Sequence, residues 1–410
     1  MDDFKNEEVI AKIEQINLVL LEKSIVSEKN KSGGISLLAG KSGITLYYAL
    51  NYQIFGKEIF KKHLLSSLNE TVESITSSNS LLLSHCSGIS GWGWLLDYLT
   101  KNHLIGNDFE DYIAEVEDVL EEKLTDLLLA SNFDLLHGAL GIGLFLIKRQ
   151  KNAAICKILY SLDQCAKKTE KEIKWTRYDK YIMHDTIYDF GLAHGNAGIL
   201  YFLTKCYQAG ILKDLCKSLI EGLLRFYINN IQDIEKFKSY YPASVRIGDY
   251  TIPDEHGYTS RLAWCYGDLG ILYTLYNVAS ILNNEAYAEM FLNMLHNTVT
   301  RKDFKETNIT DAAFCHGSSG VGFMYLKLYK LTGSELLKQA YLFWLDATLA
   351  FGGSKKAGSA GYLFDLGSQG GIAINYDFLS GLEGVGAFLL SSTKNGTEIM
   401  SKWEEILFLC

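Results

Sequence analysis

Metal-ligating and proton-transferring side chains recur at one position of a repeated G-x-x-G motif. His194, Cys265, Cys315 and His316 stand one or two residues before the first glycine of their motif, in an otherwise apolar frame. Two sulfurs and one imidazole suit zinc, and three protein ligands leave open the fourth position that a catalytic zinc site needs. The pattern predicts a zinc site of Cys265, Cys315 and His316. The competing interpretation, two small buried cysteines and a core histidine, does not explain why they occupy equivalent repeat positions.

The motif that carries these residues occurs seven times, and each copy opens an apolar stretch. The copies begin at Gly40, Gly88, Gly138, Gly195, Gly267, Gly317 and Gly381. Between them lie stretches with apolar residues at helical spacing and charges on the other face, such as 108–130, 211–232 and 284–299. Each repeat therefore predicts one buried and one amphipathic helix.

Two layers of helices predict an all-α fold, an α/α toroid with seven inner and seven outer helices. An open solenoid is the alternative, but it should carry polar capping repeats at its ends. The seventh copy is as apolar as the middle ones, so closure is favoured. The composition of 36 Gly and only 2 Pro agrees, because proline breaks helix interiors and glycine serves sharp corners.

Two segments depart from the repeat. The longest gap, between the fourth and fifth copies, holds both prolines, and we expect 232–260 to form an inserted loop or small β element. We expect residues 1–410 to form a single toroid domain around it. The glycine-rich segment 351–377 is too long for a tight connection, and long loops of this kind are often functional.

Charge and cysteine usage exclude several classes of function. The net charge of −9 argues against nucleic acid as a partner, because no basic field is available to bind phosphates. The chain has no apolar run of membrane-spanning length and no secretory signal at its start. Eight dispersed cysteines indicate free thiols in a reducing cytosol. We therefore expect a cytoplasmic location.

Three of the corners carry a family resemblance. WCYG at 264–267, CHGSSG at 315–320 and AHGNAG at 193–198 resemble signatures of the lanthionine synthetase C-like proteins, which close thioether rings in lantibiotic precursor peptides. The seven-copy pattern extends the resemblance over essentially the whole chain. It implies an α/α toroid with one zinc per chain, bound by the residues that match Cys265, Cys315 and His316. It also implies catalytic roles for the positions listed here: His194, Asp134, Arg261 and Tyr266.

The resemblance further implies partners. The expected substrate is a dehydrated precursor peptide with a leader, supplied by a separate dehydratase. An export transporter in the same biosynthetic complex would bring the protein to the membrane periphery, and we expect a monomer. Two departures bear on substrate preference: Asp268 and Leu269 stand where the family often has a small residue and proline, and His137 stands where an acid or small polar residue is expected.

The implied reaction adds a cysteine thiol to dehydroalanine or dehydrobutyrine. His194 is the best general acid, since its pKa lies near the working pH. Asp134 would orient the imidazole, although an aspartate before a helix also serves as an N-cap. Arg261 or Tyr266 would donate to the enolate oxygen; the alternatives are a charge pair for Arg261 and core packing for Tyr266.

Three other functions compete with the cyclase. One keeps the zinc and the chemistry but adds glutathione or another small thiol to dehydroamino acids. Another is a non-catalytic scaffold that binds peptide or thiol through zinc. The last is a glycosidase on a helical toroid, which needs two catalytic carboxylates. It ranks lowest, because the corner acids Asp134, Asp268 and Glu383 would leave the Cys/His set unexplained.

Overall fold

The computed structural model describes residues 3–27, 34–77, 81–179, 185–247 and 259–409. In chain order the α-helices are α1 (Asp3–Ser27), α2 (Lys41–Phe55), α3 (Glu58–Thr76), α4 (Ile89–Lys101), α5 (Glu110–Leu129), α6 (Ala139–Lys148), α7 (Asn152–Cys165), α8 (Asn196–Gln208), α9 (Lys213–Asn229), α10 (Ile234–Phe237), α11 (Asp268–Ile281), α12 (Glu285–Thr298), α13 (Phe304–Thr307), α14 (Ser318–Thr332), α15 (Glu335–Phe351), α16 (Gly367–Gly370), α17 (Leu382–Ser392) and α18 (Gly396–Trp403). The strands are β1 (Lys167–Lys168), β2 (Ile173–Lys174), β3 (Arg177–Asp179), β4 (Asp185–Asp189), β5 (Ser244–Arg246), β6 (Phe364–Asp365) and β7 (Ile372–Ala373).

Each of the seven motifs opens a buried helix, as the apolar pattern predicts. The helices α2, α4, α6, α8, α11, α14 and α17 all begin at the residue after the first motif glycine. The chain before the helix folds back under its first turn, which leaves no room for a side chain there. A Cβ on Gly270 would lie 2.3 Å from the carbonyl oxygen of Trp264, and one on Gly320 would lie 1.8 Å from that of Phe314. The second motif glycine is therefore required by this close backbone approach.

The amphipathic stretches form the second helix of each repeat. The predicted segments 108–130, 211–232 and 284–299 correspond to α5, α9 and α12. Each helix is shorter than its pattern by one to three residues at either end, and a 3₁₀ turn at Asn107–Phe109 precedes α5. The apolar faces of α9 and α12 pack on α8 and α11, and their charged residues are exposed.

The chain divides into two compact units. The first comprises Met1–Val116 and Ile309–Cys410. In it the inner helices α14, α17, α2 and α4 are neighbours in that order, while α15, α1 and α3 pack outside α14, α17 and α2 respectively. The N-terminal helix α1 thus covers the last inner helix. The segment 351–377 forms a short antiparallel hairpin of β6 and β7 around α16.

The second unit comprises Glu117–Asn308. Its inner helices α6, α8 and α11 are neighbours in that order, each paired with α7, α9 or α12. A three-stranded antiparallel sheet, ordered β3–β4–β5, leads into the corner before α8.

The predicted insertion lies in this second unit. Within 232–260 the structure shows α10 and the strand β5, while residues 248–258, with Pro253, lie outside the described residues. The sequence pattern did not predict β3 and β4, because strands this short carry no clear alternation. A single domain over 1–410 stays a prediction. Among the described helices, none is long and apolar enough to cross a bilayer.

Candidate metal and acid–base site

In the second unit, a histidine and an aspartate from two successive corners form a pair. His194 precedes the corner glycine of α8, and Asp134 lies on the corner before α6. The His194 Nδ1 atom lies 2.6 Å from Asp134 Oδ2. The other carboxylate oxygen, Oδ1, accepts the backbone N–H groups of Leu136 at 2.7 Å and His137 at 2.8 Å. Asp134 therefore both fixes its own turn and orients the imidazole.

The pair stabilises its own charged form. Burial alone would lower the pKa of His194, but the hydrogen bond and negative charge of Asp134 outweigh it and raise the pKa overall. Burial alone would raise the pKa of Asp134, but the hydrogen bond and charge of His194 lower it overall. The side chains are 23% and 17% exposed, so solvent reaches the imidazole without fully screening the pair. Asp134 thus favours the protonated form of His194, and part of the imidazole remains open to solvent.

Two further rings flank His194. The His137 ring stacks on it with centroids 5.7 Å apart and planes 9° apart. On another side the Tyr266 ring lies 5.7 Å away, tilted by 38°. His137 therefore lies against His194 and is exposed to solvent.

The corner before α11 brings a buried thiol close to this pair. The backbone N–H of Ala193 donates to the carbonyl oxygen of Cys265 at 3.3 Å, which joins two successive corners. Cys265 is only 5% exposed. The next corner glycine, Gly267, has φ of +97°, and a Cβ there would meet the Arg261 carbonyl oxygen at 1.8 Å. Glycine alone therefore permits the turn that presents Cys265 and Tyr266.

The Tyr266 hydroxyl belongs to a charged network that sequence reasoning missed. It donates to Asp189 Oδ2 at 3.2 Å and accepts from Arg177 Nη2 at 3.2 Å. Arg177 Nη2 also lies 2.6 Å from Asp189 Oδ2. Burial, together with the negative charge of Asp189, raises the pKa of Tyr266, so the phenol stays protonated. The sequence signal available was weak: Asp189 stands six residues before a corner glycine, but Arg177 lies outside every motif.

Arg261 and Asp268 occupy different surroundings. The Arg261 side chain is half-buried, and among the described residues it makes no hydrogen bond or ion pair. Asp268 is fully buried and accepts from Arg301 Nη1 at 3.0 Å and from the backbone N–H of Tyr240 at 3.0 Å. Burial raises the pKa of Asp268 to about 6 despite the Arg301 charge. Asp268 therefore ties the start of the insertion to α11.

In the first unit, the corner before α14 carries the other predicted ligands. Cys315 and His316 are half-buried. The backbone N–H of Cys315 donates to the carbonyl oxygen of Leu379 at 2.7 Å, which joins the corners of α14 and α17. The second corner instead holds His85 in the core: it is 2% exposed, its Nε2 lies 3.0 Å from the Ile406 carbonyl oxygen, and burial lowers its pKa to about 4.

Comparison with known proteins agrees with the repeat and the corner motifs. The family model of lanthionine synthetase C-like proteins matches residues 31–407. The chain belongs to this family. The resemblance seen in its corner motifs is therefore confirmed.

Two proteins that this chain resembles carry names of different activities. Glutathione S-transferase LANCL1 of Danio rerio is 23% identical over 302 residues, covering 72% of this chain and 69% of that protein. The solved structure of nisin cyclase is similar with a TM-score of 0.75 at 18% identity, covering 96% of each chain. The structural similarity confirms the predicted fold class, an all-α α/α toroid.

The donor set of this family member fits a metal. Cys265, Cys315 and His316 form a group of side chains that could hold a metal ion, each offering one ligand atom. Neither cysteine forms a disulfide, so both sulfurs can serve as ligand atoms. Two thiolates and one imidazole are borderline-soft donors. Such donors bind zinc more tightly than they bind harder cations.

Proposed function

We propose that this protein is a zinc-dependent lanthionine synthetase. It adds cysteine thiols of a ribosomal precursor peptide to dehydroalanine and dehydrobutyrine in the same peptide, which closes lanthionine and methyllanthionine rings. The observation that carries the proposal is the His194–Asp134 pair, one corner before the Cys265 thiol and joined to it through the Ala193–Cys265 backbone hydrogen bond. Thiol addition needs an activated substrate sulfur and a proton donor. We propose that Cys265, as a zinc ligand, serves the first need and His194 the second.

The nucleophile must be a thiolate, and a free thiol is only a few per cent ionised at neutral pH. A zinc ion held by Cys265, Cys315 and His316 would favour the ionised form of the substrate thiol. We propose one such ion per chain. The position of Cys265, 5% exposed and fixed by the neighbouring corner, protects that sulfur from bulk solvent.

The chain's own acid completes the addition. When the C–S bond forms at the β-carbon, the π electrons of the double bond move onto the acyl group as an enolate. We propose that His194 protonates the α-carbon from Nε2, since Nδ1 is engaged by Asp134. The thiol releases its proton to solvent, and His194, left neutral by the transfer to carbon, regains one from solvent, so the protons balance. Arg261 and Tyr266 stay candidates for the group that faces the enolate oxygen.

A second candidate function uses the same residues on a different thiol. The similarity to a protein named glutathione S-transferase supports addition of glutathione or another small thiol to dehydroamino acids. The chemistry at carbon is unchanged, so His194 and Asp134 keep their proposed roles.

The decisive experiment incubates the zinc-loaded protein with a dehydrated peptide that carries cysteines, with and without glutathione. Ring closure does not change the mass, so it is read as a loss of sites that react with a thiol-alkylating reagent. Loss without added thiol supports the cyclase, whereas a mass gain of one glutathione supports the second candidate. Binding without either product would contradict both and support a scaffold.

The family membership also supports the proposed partners. We propose a dehydrated peptide with a leader as substrate, and a separate dehydratase as its source. The protein would act as a cytoplasmic monomer, brought to the membrane periphery by a complex with an export transporter.

A further inference from the structure

A cation from outside the repeat motifs lies at the corners of α8 and α11. In the sheet that leads into α8, Arg177 of β3 pairs with Ile187 of β4. Successive residues of a strand alternate between faces, so Arg177 and Asp189 lie on the same face. The chain just before β3 is fastened to α8, because the Asn196 side chain accepts from the N–H of Trp175 and donates to its carbonyl, both at 2.9 Å. Arg177 is therefore held at the corner.

The buried carboxylate of Asp189 engages the hydroxyl group of Tyr266, which limits the ability of Tyr266 to donate to a substrate. Asp189 is 1% exposed, and its Oδ2 accepts from Arg177 Nε at 2.8 Å as well as from the Tyr266 hydroxyl. A phenol has a single O–H, and Tyr266 directs it to Asp189 while its oxygen accepts from Arg177. Tyr266 could donate to a substrate only by leaving a buried carboxylate.

The guanidinium reaches further toward solvent than its partner. The Arg177 side chain is 31% exposed, whereas that of Asp189 is 1% exposed. A guanidinium is permanently charged and carries five N–H donors in a planar fork, which suits an oxygen that gains negative charge. The same network contacts the Tyr266 ring, which lies beside His194. The cation and the proposed acid thus flank one tyrosine.

We propose that Arg177 binds the carbonyl oxygen of the dehydroamino-acid residue and stabilises the enolate that forms there, with Asp189 as its positioning residue. The inference rests on the proposed function. The thiolate electron pair forms the C–S bond, the double-bond π pair moves onto the acyl group, and the negative charge settles on this oxygen. The later proton transfer to the α-carbon from His194 restores the carbonyl.

The first test measures anion binding without any reaction. Malonamate, a planar carboxylate beside a CH₂-amide, resembles the enolate, and its dissociation constant is measured by calorimetric titration, which also reports binding by variants without Arg177. Arg246→Gln is the matched control, since Arg246 pairs with Ile187 from the opposite edge of the same sheet and is half-exposed. Arg177→Gln is expected to weaken malonamate binding at least about tenfold, as expected for loss of a charge-assisted contact, and Arg246→Gln to change it less than about twofold. Equal binding by the two variants, both folded by thermal midpoint, overturns the inference.

The second test measures turnover. Arg177→Gln is expected to lower kcat on the order of 10²-fold, as loss of an oxyanion donor does elsewhere, with a smaller change in KM. Added methylguanidine should restore part of the rate of Arg177→Gly, which a purely structural role would not allow. If Arg177→Gln does not fold, Arg177→Lys replaces it: the charge stays but the fork is lost, and wild-type binding and kcat would overturn the inference. Malonamate binding through Arg177 in a protein that forms no thioether would refute the proposed function alone.

Discussion

The substitution Asp134→Asn separates the two tasks of one carboxylate. In the wild type, Oδ2 holds His194 at 2.6 Å while Oδ1 accepts two backbone N–H groups. The asparagine side chain keeps an oxygen for the backbone but turns an uncharged N–H₂ group toward the imidazole. The fold of the corner should therefore survive, while the histidine loses the charge that raises its pKa.

The magnitude follows from the loss of a charge-assisted hydrogen bond. Such bonds contribute about 1.5–3 kcal/mol, and both side chains are less than a quarter exposed, so little is lost to screening. Since about 1.4 kcal/mol corresponds to a tenfold change in rate, kcat on the alkaline side of the pH profile should fall roughly 10- to 150-fold. The pH dependence should move as well. Asp134 raises the pKa of His194, so its removal shifts the fall of activity with rising pH to lower pH.

The assay is the pH profile of kcat for thioether formation, with zinc content measured in parallel. The stability of the variant provides an independent check. Because the pKa of His194 is raised, its stabilisation of the fold is full below the ordinary histidine pKa and is lost as the pH rises. Because the pKa of Asp134 is lowered, its stabilisation is full above the ordinary aspartate pKa and is lost as the pH falls. The loss of stability should therefore be largest between about pH 4 and 6.5. An unchanged pH profile with unchanged kcat would refute the assignment of His194 as an acid set by Asp134.

The remaining predictions concern the metal and the corners. Wild type and Cys86→Ala should each bind one zinc per chain by elemental analysis, and Cys315→Ala should lose it; zinc retained in Cys315→Ala would contradict the ligand assignment. Gly270→Ala should lower the free energy of unfolding by about 1–3 kcal/mol in a denaturant titration, because its Cβ meets a backbone oxygen; wild-type stability would show that the corner can relax. Asp268→Ala should cost about 3–5 kcal/mol by leaving the Arg301 charge buried alone, and the double variant with Arg301→Met should recover much of it; no recovery would argue against that cause.

Much of the fold could be predicted from the sequence because its determinants are local. An apolar run after G-x-x-G specifies a buried helix, and all seven such helices start at the predicted residue. The motif positions require glycine because the backbone carbonyl six residues earlier leaves no room for a side chain, and this requirement makes the motif visible in the sequence. Equivalent repeat positions also single out His194 and Cys265.

The corner positions already predicted that Asp134 orients His194, but only the tertiary structure shows their contact and the cation that lies nearby. Asp134 lies 60 residues from His194, and only the packing of α6 against α8 brings them to 2.6 Å. Arg177 belongs to a strand too short to show in the pattern, and its register with β4 places it against Asp189 and Tyr266. The helical period can be seen in residues close together in the sequence, whereas these contacts join residues that are far apart in it. The sequence therefore determined the corners and their side chains, and the tertiary structure determined which of those side chains share a proton or a charge.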